Sequence, residues 1–137
     1  MLADRLELQD LNARYSHALD HNDLAEFLGV FAADAVYTLG ARVSRGQAEL
    51  SQFFTGRQAM GRRVTRHFCS SFTVTFQDGD NATGGSVWMS FVGNGDPPFE
   101  QAAPFMVADM EDRFVRVDGR WLVAERRIIP VFRGAQG

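Results

Sequence analysis

Four polar side chains lie within otherwise apolar stretches of the sequence, and their types are those of a proton-transfer site. Histidine titrates near neutral pH, so His67 can accept and return a proton. Asp20 could hold the imidazole in one tautomer and stabilise its charged form. Tyr15 could donate a hydrogen bond or a proton to a substrate oxygen, and Arg126 could stabilise a developing anion. Together they predict a general base that works without a metal ion or a cofactor.

Each of the four residues also has a purely structural interpretation. His67 could be a satisfied residue at the start of a strand, and Asp20 could cap a helix that begins near Asn22. Tyr15 could be an ordinary core ring with its hydroxyl at the surface, and Arg126 could be an exposed strand residue. Residue types and spacing alone leave both interpretations open.

Two further patterns are weaker candidates. His17 and His21 are four residues apart, so they share one face of a helix, and Asp20 is adjacent to them. This set lacks the glutamate of an HExxH motif and an obvious third ligand, so we predict a solvated helix face and no metal site. Cys69 follows His67 by two residues on one strand face, where neighbours rarely point at each other. We therefore predict that Cys69 is a buried structural thiol and not a nucleophile.

The elements that must position these residues follow from the hydrophobic pattern. Apolar residues at helical spacing predict a helix over residues 3–20 and a third helix over 47–58. Between them, a short helix capped by Asn22 or Asp23 is predicted to extend to Phe31. Runs of β-prone residues predict strands at 35–39, 66–76, 82–92, 105–117 and 120–132.

The order of these elements predicts the fold class. Asp118-Gly119 joins the last two strands and is a strong hairpin signal, and Gly84 and Gly85 allow a bend within a long strand. Helices grouped before an antiparallel meander predict one α+β domain over residues 1–137. We expect a cone-shaped α+β barrel, in which three N-terminal helices pack on a strongly curved, mostly antiparallel sheet and enclose a pocket.

The composition argues against several function classes. A net charge of −3 over 137 residues argues against nucleic acid as a partner. All 14 basic residues are arginine, which excludes Schiff-base lysine chemistry and a GK[ST] phosphate loop.

Cys69 is the only cysteine, and the sequence shows neither a signal peptide nor an apolar run long enough for a bilayer. We therefore predict a cytoplasmic protein that does not bind membranes. The 12 Phe residues could line a pocket for a hydrophobic ring.

Several short motifs, in this order and spacing, resemble the SnoaL-like family of the nuclear transport factor 2-like superfamily. The resemblance covers nearly the whole chain. The motifs are Arg14-Tyr15, Leu19 to Asp23, Phe31 to Tyr37, Arg45-Gly46, Arg66 to Phe68, Asp112 to Trp121, and Arg126-Arg127.

This resemblance implies a deep pocket and a homodimer or homotrimer. In the branch of the family that contains dehydratases and dehydrochlorinases, an Asp–His pair removes a proton while a leaving group departs. Asp20 and His67 fall where that pair would be. Tyr15 matches a position that carries a polar catalytic group in some members, and Arg126 matches one that stabilises the leaving group in others.

The chain departs from scytalone dehydratase at three positions. The run Val87 to Phe91 lacks the second pocket histidine, Met110 replaces a common tyrosine, and Ser71 replaces a common asparagine. These changes argue against scytalone-like chemistry and predict a more apolar pocket.

The leading functional hypothesis is therefore a cofactor-independent lyase or isomerase that acts on a small hydrophobic ring-containing molecule. The alternative is a non-catalytic binding or accessory subunit, similar to the small subunits of ring-hydroxylating dioxygenases. An epoxide hydrolase or a polyketide cyclase ranks lower. The sequence shows no clear Asp-Arg-Asp signature of the limonene epoxide hydrolase type.

Overall fold

The computed structural model describes residues 1–100 and 103–134, and these residues form three helices and six strands. The helices are α1 (Leu2–Asp20), α2 (Leu24–Gly29) and α3 (Gly46–Gln58). The strands are β1 (Phe31–Leu39), β2 (Arg42–Arg45), β3 (Arg63–Phe76), β4 (Asn81–Asn94), β5 (Met106–Val117) and β6 (Arg120–Arg133). The predicted domain also includes residues 101–102 and 135–137, which lie outside the described residues.

The second helix is shorter than predicted. It ends at Gly29, and Phe31 begins β1 instead of extending the helix, because its backbone pairs in parallel with Val123 of β6. Strand β2 was not predicted, since Arg42–Arg45 shows no apolar alternation.

At the start of α2, the Glu26 backbone N–H donates to the Asp23 carboxylate at 3.0 Å. Asp23 is therefore the helix cap, and Asp20 is not.

The sheet is mixed and curled. Its strand order is β2-β1-β6-β5-β4-β3, in which only the β1–β6 pair is parallel within the described residues. The predicted α+β class, with three helices on a mostly antiparallel curved sheet, is confirmed. The sheet does not close into a full barrel, because β2 and β3 form its two edges. In the hairpin turn, Asp118 and Gly119 both have positive φ, as a two-residue turn of this type requires.

A register shift between β3 and β4 marks a bend in this pair of strands. The β3–β4 register shifts between Ser70 and Thr73. Opposite the shift, a Cβ on Gly84 would lie 2.8 Å from the Thr73 carbonyl oxygen and 2.9 Å from the Phe114 ring. Only glycine fits this close approach at position 84, which lies beside the register shift.

The helices cover one face of the sheet and bury the core there. Helix α1 packs against β3, and α3 packs against β1. None of the helices in the described part of the chain has the length and hydropathy that crossing a bilayer requires. The largest fully buried side chains are Trp121, Arg126, Tyr15, Phe27, Phe54 and Phe114.

Candidate active site

Asp20 and His67 form a pair where the end of α1 meets β3. The Nδ1 atom of His67 lies 2.6 Å from Oδ1 of Asp20, and the His67 backbone N–H donates to Oδ2 at 3.1 Å. The Thr65 hydroxyl donates to Oδ1 at 3.0 Å. A carboxylate accepts a hydrogen bond from Nδ1–H, so the neutral imidazole presents its lone pair at Nε2. The pair has the geometry that a general base needs.

Asp20 stays ionised at neutral pH. Burial raises the pKa of its carboxyl, but the hydrogen bonds from His67 and Thr65 and the charge of the imidazole outweigh that effect. The net result is an Asp20 pKa below its ordinary value. The side chains of Asp20 and His67 are only 9% and 16% exposed, so water screens their interaction weakly.

His67 lines an apolar cavity between the helices and the sheet. The cavity has a volume of about 100 Å³. Its walls come from α1, α3 and five strands, and most of the lining residues are apolar. They include Tyr15, Leu19, Tyr37, Phe53, His67, Trp88 and Ile128.

Two tyrosine hydroxyls form a polar pair in this cavity. The sequence analysis did not predict this pair. The hydroxyls of Tyr15 and Tyr37 lie 2.5 Å apart, and both residues are buried. Burial raises the pKa of Tyr15 and raises that of Tyr37 well above the ordinary value, so both phenols are neutral near pH 7. One hydroxyl donates to the other, which leaves the acceptor's own proton free for a ligand oxygen. The alternative interpretation of Tyr15, with its hydroxyl at the surface, is wrong.

Tyr37 was missed, although a signal for it was present. It lies in the predicted strand, where alternation places Ala35, Tyr37 and Leu39 on one face, and the first two are buried. This pattern would have pointed the Tyr37 ring toward the helices.

Arg126 lies behind the cavity and does not line it. It is fully buried, and its Nε and Nη2 donate to the two oxygens of Asp112 at 2.8 and 2.9 Å. Its guanidinium carbon lies 4.5 Å from the centre of the Tyr15 ring and 5.6 Å from that of Trp88. Burial lowers the Arg126 pKa, but Asp112 reverses this effect, so the net shift is upward and the charge is kept. Arg126 thus supports two lining rings and is not an exposed strand residue.

The weaker candidates are far from a reactive arrangement. His17 Nδ1 lies 2.7 Å from the Glu26 carboxylate on an exposed surface. No three His, Cys, Asp or Glu side chains in the described ranges are grouped as metal ligands would be. Cys69 is exposed, so the prediction of a buried thiol is wrong; it lies on β3, which is an edge strand of the sheet. Partial burial raises the Cys69 pKa, which keeps the thiol protonated at neutral pH.

The helix-covered, curled sheet is shared with solved structures. A Nostoc punctiforme protein of unknown function with a cystatin-like fold has a TM-score of 0.83 at 25% identity, over 96% of this chain and 93% of that one. A Novosphingobium aromaticivorans protein, provisionally named an aromatic ring hydroxylase, has a TM-score of 0.83 at 26% identity, over 96% and 92%. A second protein from that organism, provisionally named a scytalone dehydratase, has a TM-score of 0.85 at 19% identity, over 97% and 87%.

The architecture is thus that of the cystatin-like, nuclear transport factor 2-like folds, with a small apolar cavity under the helices. The sequence narrows this class to a family. A profile of the SnoaL-like domain matches residues 1–127, and the chain belongs to the SnoaL-like family. Comparison with curated proteins gives no significant match.

Proposed function

We propose that the protein is a cofactor-independent lyase or isomerase that removes a proton from a small, mostly apolar ring compound. The observation that carries this proposal is the Asp20–His67 pair at the wall of an apolar cavity that also holds the Tyr15–Tyr37 pair. A base and a hydrogen-bond donor that share one cavity are the two groups that proton abstraction next to an activating group requires.

The reaction uses each group in turn. The Nε2 atom of His67 takes the proton from substrate carbon, and Asp20 stabilises the imidazolium that forms. Negative charge then develops on an activating oxygen or on a leaving group. The free hydroxyl proton of the Tyr15–Tyr37 pair donates to that oxygen. The imidazolium afterwards returns the proton to another carbon, which is isomerisation, or to a departing oxygen, which is elimination.

Support also comes from the family and from one neighbour's name. The chain belongs to the SnoaL-like family, and one solved structure that shares its fold is provisionally named a scytalone dehydratase; dehydration is an elimination. Within the described residues, β4 places Trp88 and Ser90, not a histidine, on the inner face beside the cavity. The second histidine of scytalone dehydratase is therefore missing, which favours a different and more apolar substrate.

A model elimination tests this chemistry without knowledge of the natural substrate. In 5-nitrobenzisoxazole, a base removes the ring C–H proton, the N–O bond breaks, and a coloured phenolate forms. We expect saturable turnover by the protein, a large loss in His67→Ala, and a smaller loss in Asp20→Asn. His17→Ala is the control, because His17 is exposed and distant from the cavity. Equal turnover by wild type and His67→Ala would contradict the proposal.

A binding or accessory role is the second candidate, since one neighbour is provisionally named an aromatic ring hydroxylase. In that case the cavity would hold a ring without reacting with it. This role predicts a stable complex with a larger chain in native extract and no turnover of the model substrate. Turnover that depends on His67, with no such partner chain, would argue against it.

A further inference from the structure

Two arginines lie where the apolar cavity adjoins a second, polar pocket. Arg57 lies in the last turn of α3, and Arg63 is the first residue of β3. Both line the cavity, and both also line an adjoining polar pocket of about 210 Å³. Leu19 and Thr65 belong to the two walls as well, so the polar pocket opens beside the Asp20–His67 pair.

Neither arginine is neutralised by a carboxylate. Arg57 and Arg63 take part in none of the ion pairs found among the described residues. Among the described residues, the one hydrogen bond of the Arg57 side chain goes to the Leu19 carbonyl oxygen, at 3.5 Å. Arg63 contacts the Phe105 ring, at 5.5 Å from its centre, and its Nε is buried with no acceptor in the described part of the chain. Arg126, by contrast, is bound by both oxygens of Asp112.

The two positive charges act on each other and on the cavity. Burial lowers the pKa of Arg63, and the charge of Arg57 lowers it further, so the two guanidinium groups repel each other. The charge of Arg57 also lowers the pKa of both buried tyrosines, against the larger effect of burial. Two partly buried like charges without a counterion are costly, and an anion between them relieves that cost. The planar guanidinium fork matches the two oxygens of a carboxylate.

We propose that the site takes a ring compound that carries a carboxylate, with the ring in the apolar cavity and the carboxylate on Arg57 and Arg63. This inference rests on the proposed function, because it names the substrate class of the same site. The carboxylate fixes the ring in one orientation toward His67 and the Tyr15–Tyr37 pair. Arg57 and Arg63 are therefore binding residues that determine specificity.

Matched pairs of carboxylates and amides test the inference by binding alone. The probes are benzoate, trans-cinnamate and 2-naphthoate, each compared with its neutral carboxamide of nearly the same shape. Affinities are measured by titration calorimetry and by NMR shifts of cavity residues. We expect at least one carboxylate to bind about tenfold or more tightly than its amide, which corresponds to about 1.4 kcal/mol. Rising salt concentration should weaken the binding of the carboxylate and leave the binding of the amide unchanged. This test needs no variant.

Three variants assign the preference to these residues. Arg57→Gln and Arg63→Gln should each reduce the preference for the carboxylate toward unity. Arg66→Gln is the matched control, because Arg66 is an exposed arginine of the same strand and its loss changes the net charge equally. Equal affinities for acid and amide would overturn the inference. A preference for the carboxylate that survives when Arg57→Gln and Arg63→Gln are combined would also overturn it. So would the lack of saturable binding of any carboxylate at millimolar concentration.

The inference and the proposed chemistry fail in different ways. His67→Ala should keep the carboxylate preference, because it leaves both arginines in place. The same variant also excludes the imidazolium as the group that attracts the carboxylate. A kept preference without turnover of 5-nitrobenzisoxazole would leave the ligand class standing and refute the proton-transfer role. Turnover without any preference would refute the ligand class alone.

Discussion

The Asp20 carboxylate binds His67 through both of its oxygens, one at the imidazole Nδ1 and one at the backbone N–H of the same residue. This double contact fixes the ring relative to the main chain of β3. Because Asp20 ends α1 and Thr65 adds a third hydrogen bond, the position of the base depends on the docking of a helix end on a strand.

The first prediction concerns the imidazole tautomer. We expect ¹⁵N NMR of the neutral His67 ring to show the proton on Nδ1, because a carboxylate accepts only from an N–H. Asp20→Asn should shift the ring toward the other tautomer, since the amide N–H₂ can donate to Nδ1. His17 and His21 serve as internal controls, because among the described residues no hydrogen bond joins either imidazole to the Asp20 carboxylate. A wild-type ring with its proton on Nε2 would contradict the assignment of Nε2 as the base.

The second prediction concerns stability in acid. The Asp20 pKa is lower in the folded protein than in the unfolded chain, so the unfolded state binds the proton more tightly. The stabilisation by Asp20 is therefore present above the ordinary Asp pKa and is lost as pH falls through the lower, folded value. We expect Asp20→Asn to cost about 1–3 kcal/mol at pH 7, through the loss of hydrogen bonds to a charged group.

Urea unfolding at a series of pH values measures this effect. The gap in unfolding free energy between wild type and Asp20→Asn should narrow as the pH drops below the ordinary Asp pKa. Asp10→Asn is the control, because Asp10 is an exposed residue of the same helix. A gap that stays constant down to strong acid would show that the Asp20 charge contributes nothing to folding.

The candidate site was only partly predictable from the sequence. Helical spacing placed Asp20 at the end of α1, and the resemblance to a family related it to His67, 47 residues away. The pairing of Tyr15 with Tyr37 depends on how α1 docks on the sheet, which no local pattern encodes. Arg126 is flanked by Glu125 and Arg127 and has the pattern of an exposed strand segment.

The fold was more predictable than the side-chain partners. Periodicity located α1, α3 and the four long strands because each spans several repeats of its pattern. The short β2 was missed because four residues give no usable period. Burial of Arg126 depends on Asp112, which lies directly opposite on the neighbouring strand, and register across strands is a tertiary property.

The third prediction concerns the tyrosine pair at alkaline pH. The protein has only two tyrosines, so its phenolate absorbance reports Tyr15 and Tyr37 alone. Burial raises the pKa of both phenols, so their stabilisation is present below the ordinary value near 10 and is lost as pH rises toward the folded values. We expect phenolate absorbance to appear together with unfolding, as followed by circular dichroism. Phenolate formation in a fully folded protein at pH 10 would contradict the buried pair.

The fourth prediction concerns Gly84, at the bend in β3 and β4. Gly84→Ala should destabilise the protein by about 1–3 kcal/mol, because the new Cβ would meet the Thr73 carbonyl at 2.8 Å. Gly79→Ala is the control, since a Cβ at that turn meets nothing within 4 Å. Thermal unfolding of both variants measures the difference. Equal unfolding temperatures would show that the close approach at the bend relaxes without cost.

The last prediction concerns the buried ion pair behind Tyr15. Arg126→Met leaves the Asp112 carboxylate buried without its partner, which should cost about 3–5 kcal/mol. Replacing both partners, with Arg126→Met and Asp112→Leu together, should cost less than Arg126→Met alone, because no buried charge remains. Arg127→Met is the control, since the neighbouring Arg127–Glu111 pair on the same two strands is 55% and 60% exposed and should contribute little. Urea unfolding of wild type, Arg126→Met, Asp112→Leu, the double variant and Arg127→Met gives these differences. If the double variant is as unstable as the sum of its single changes, the pair acts through packing on Tyr15 and Trp88 and not through charge.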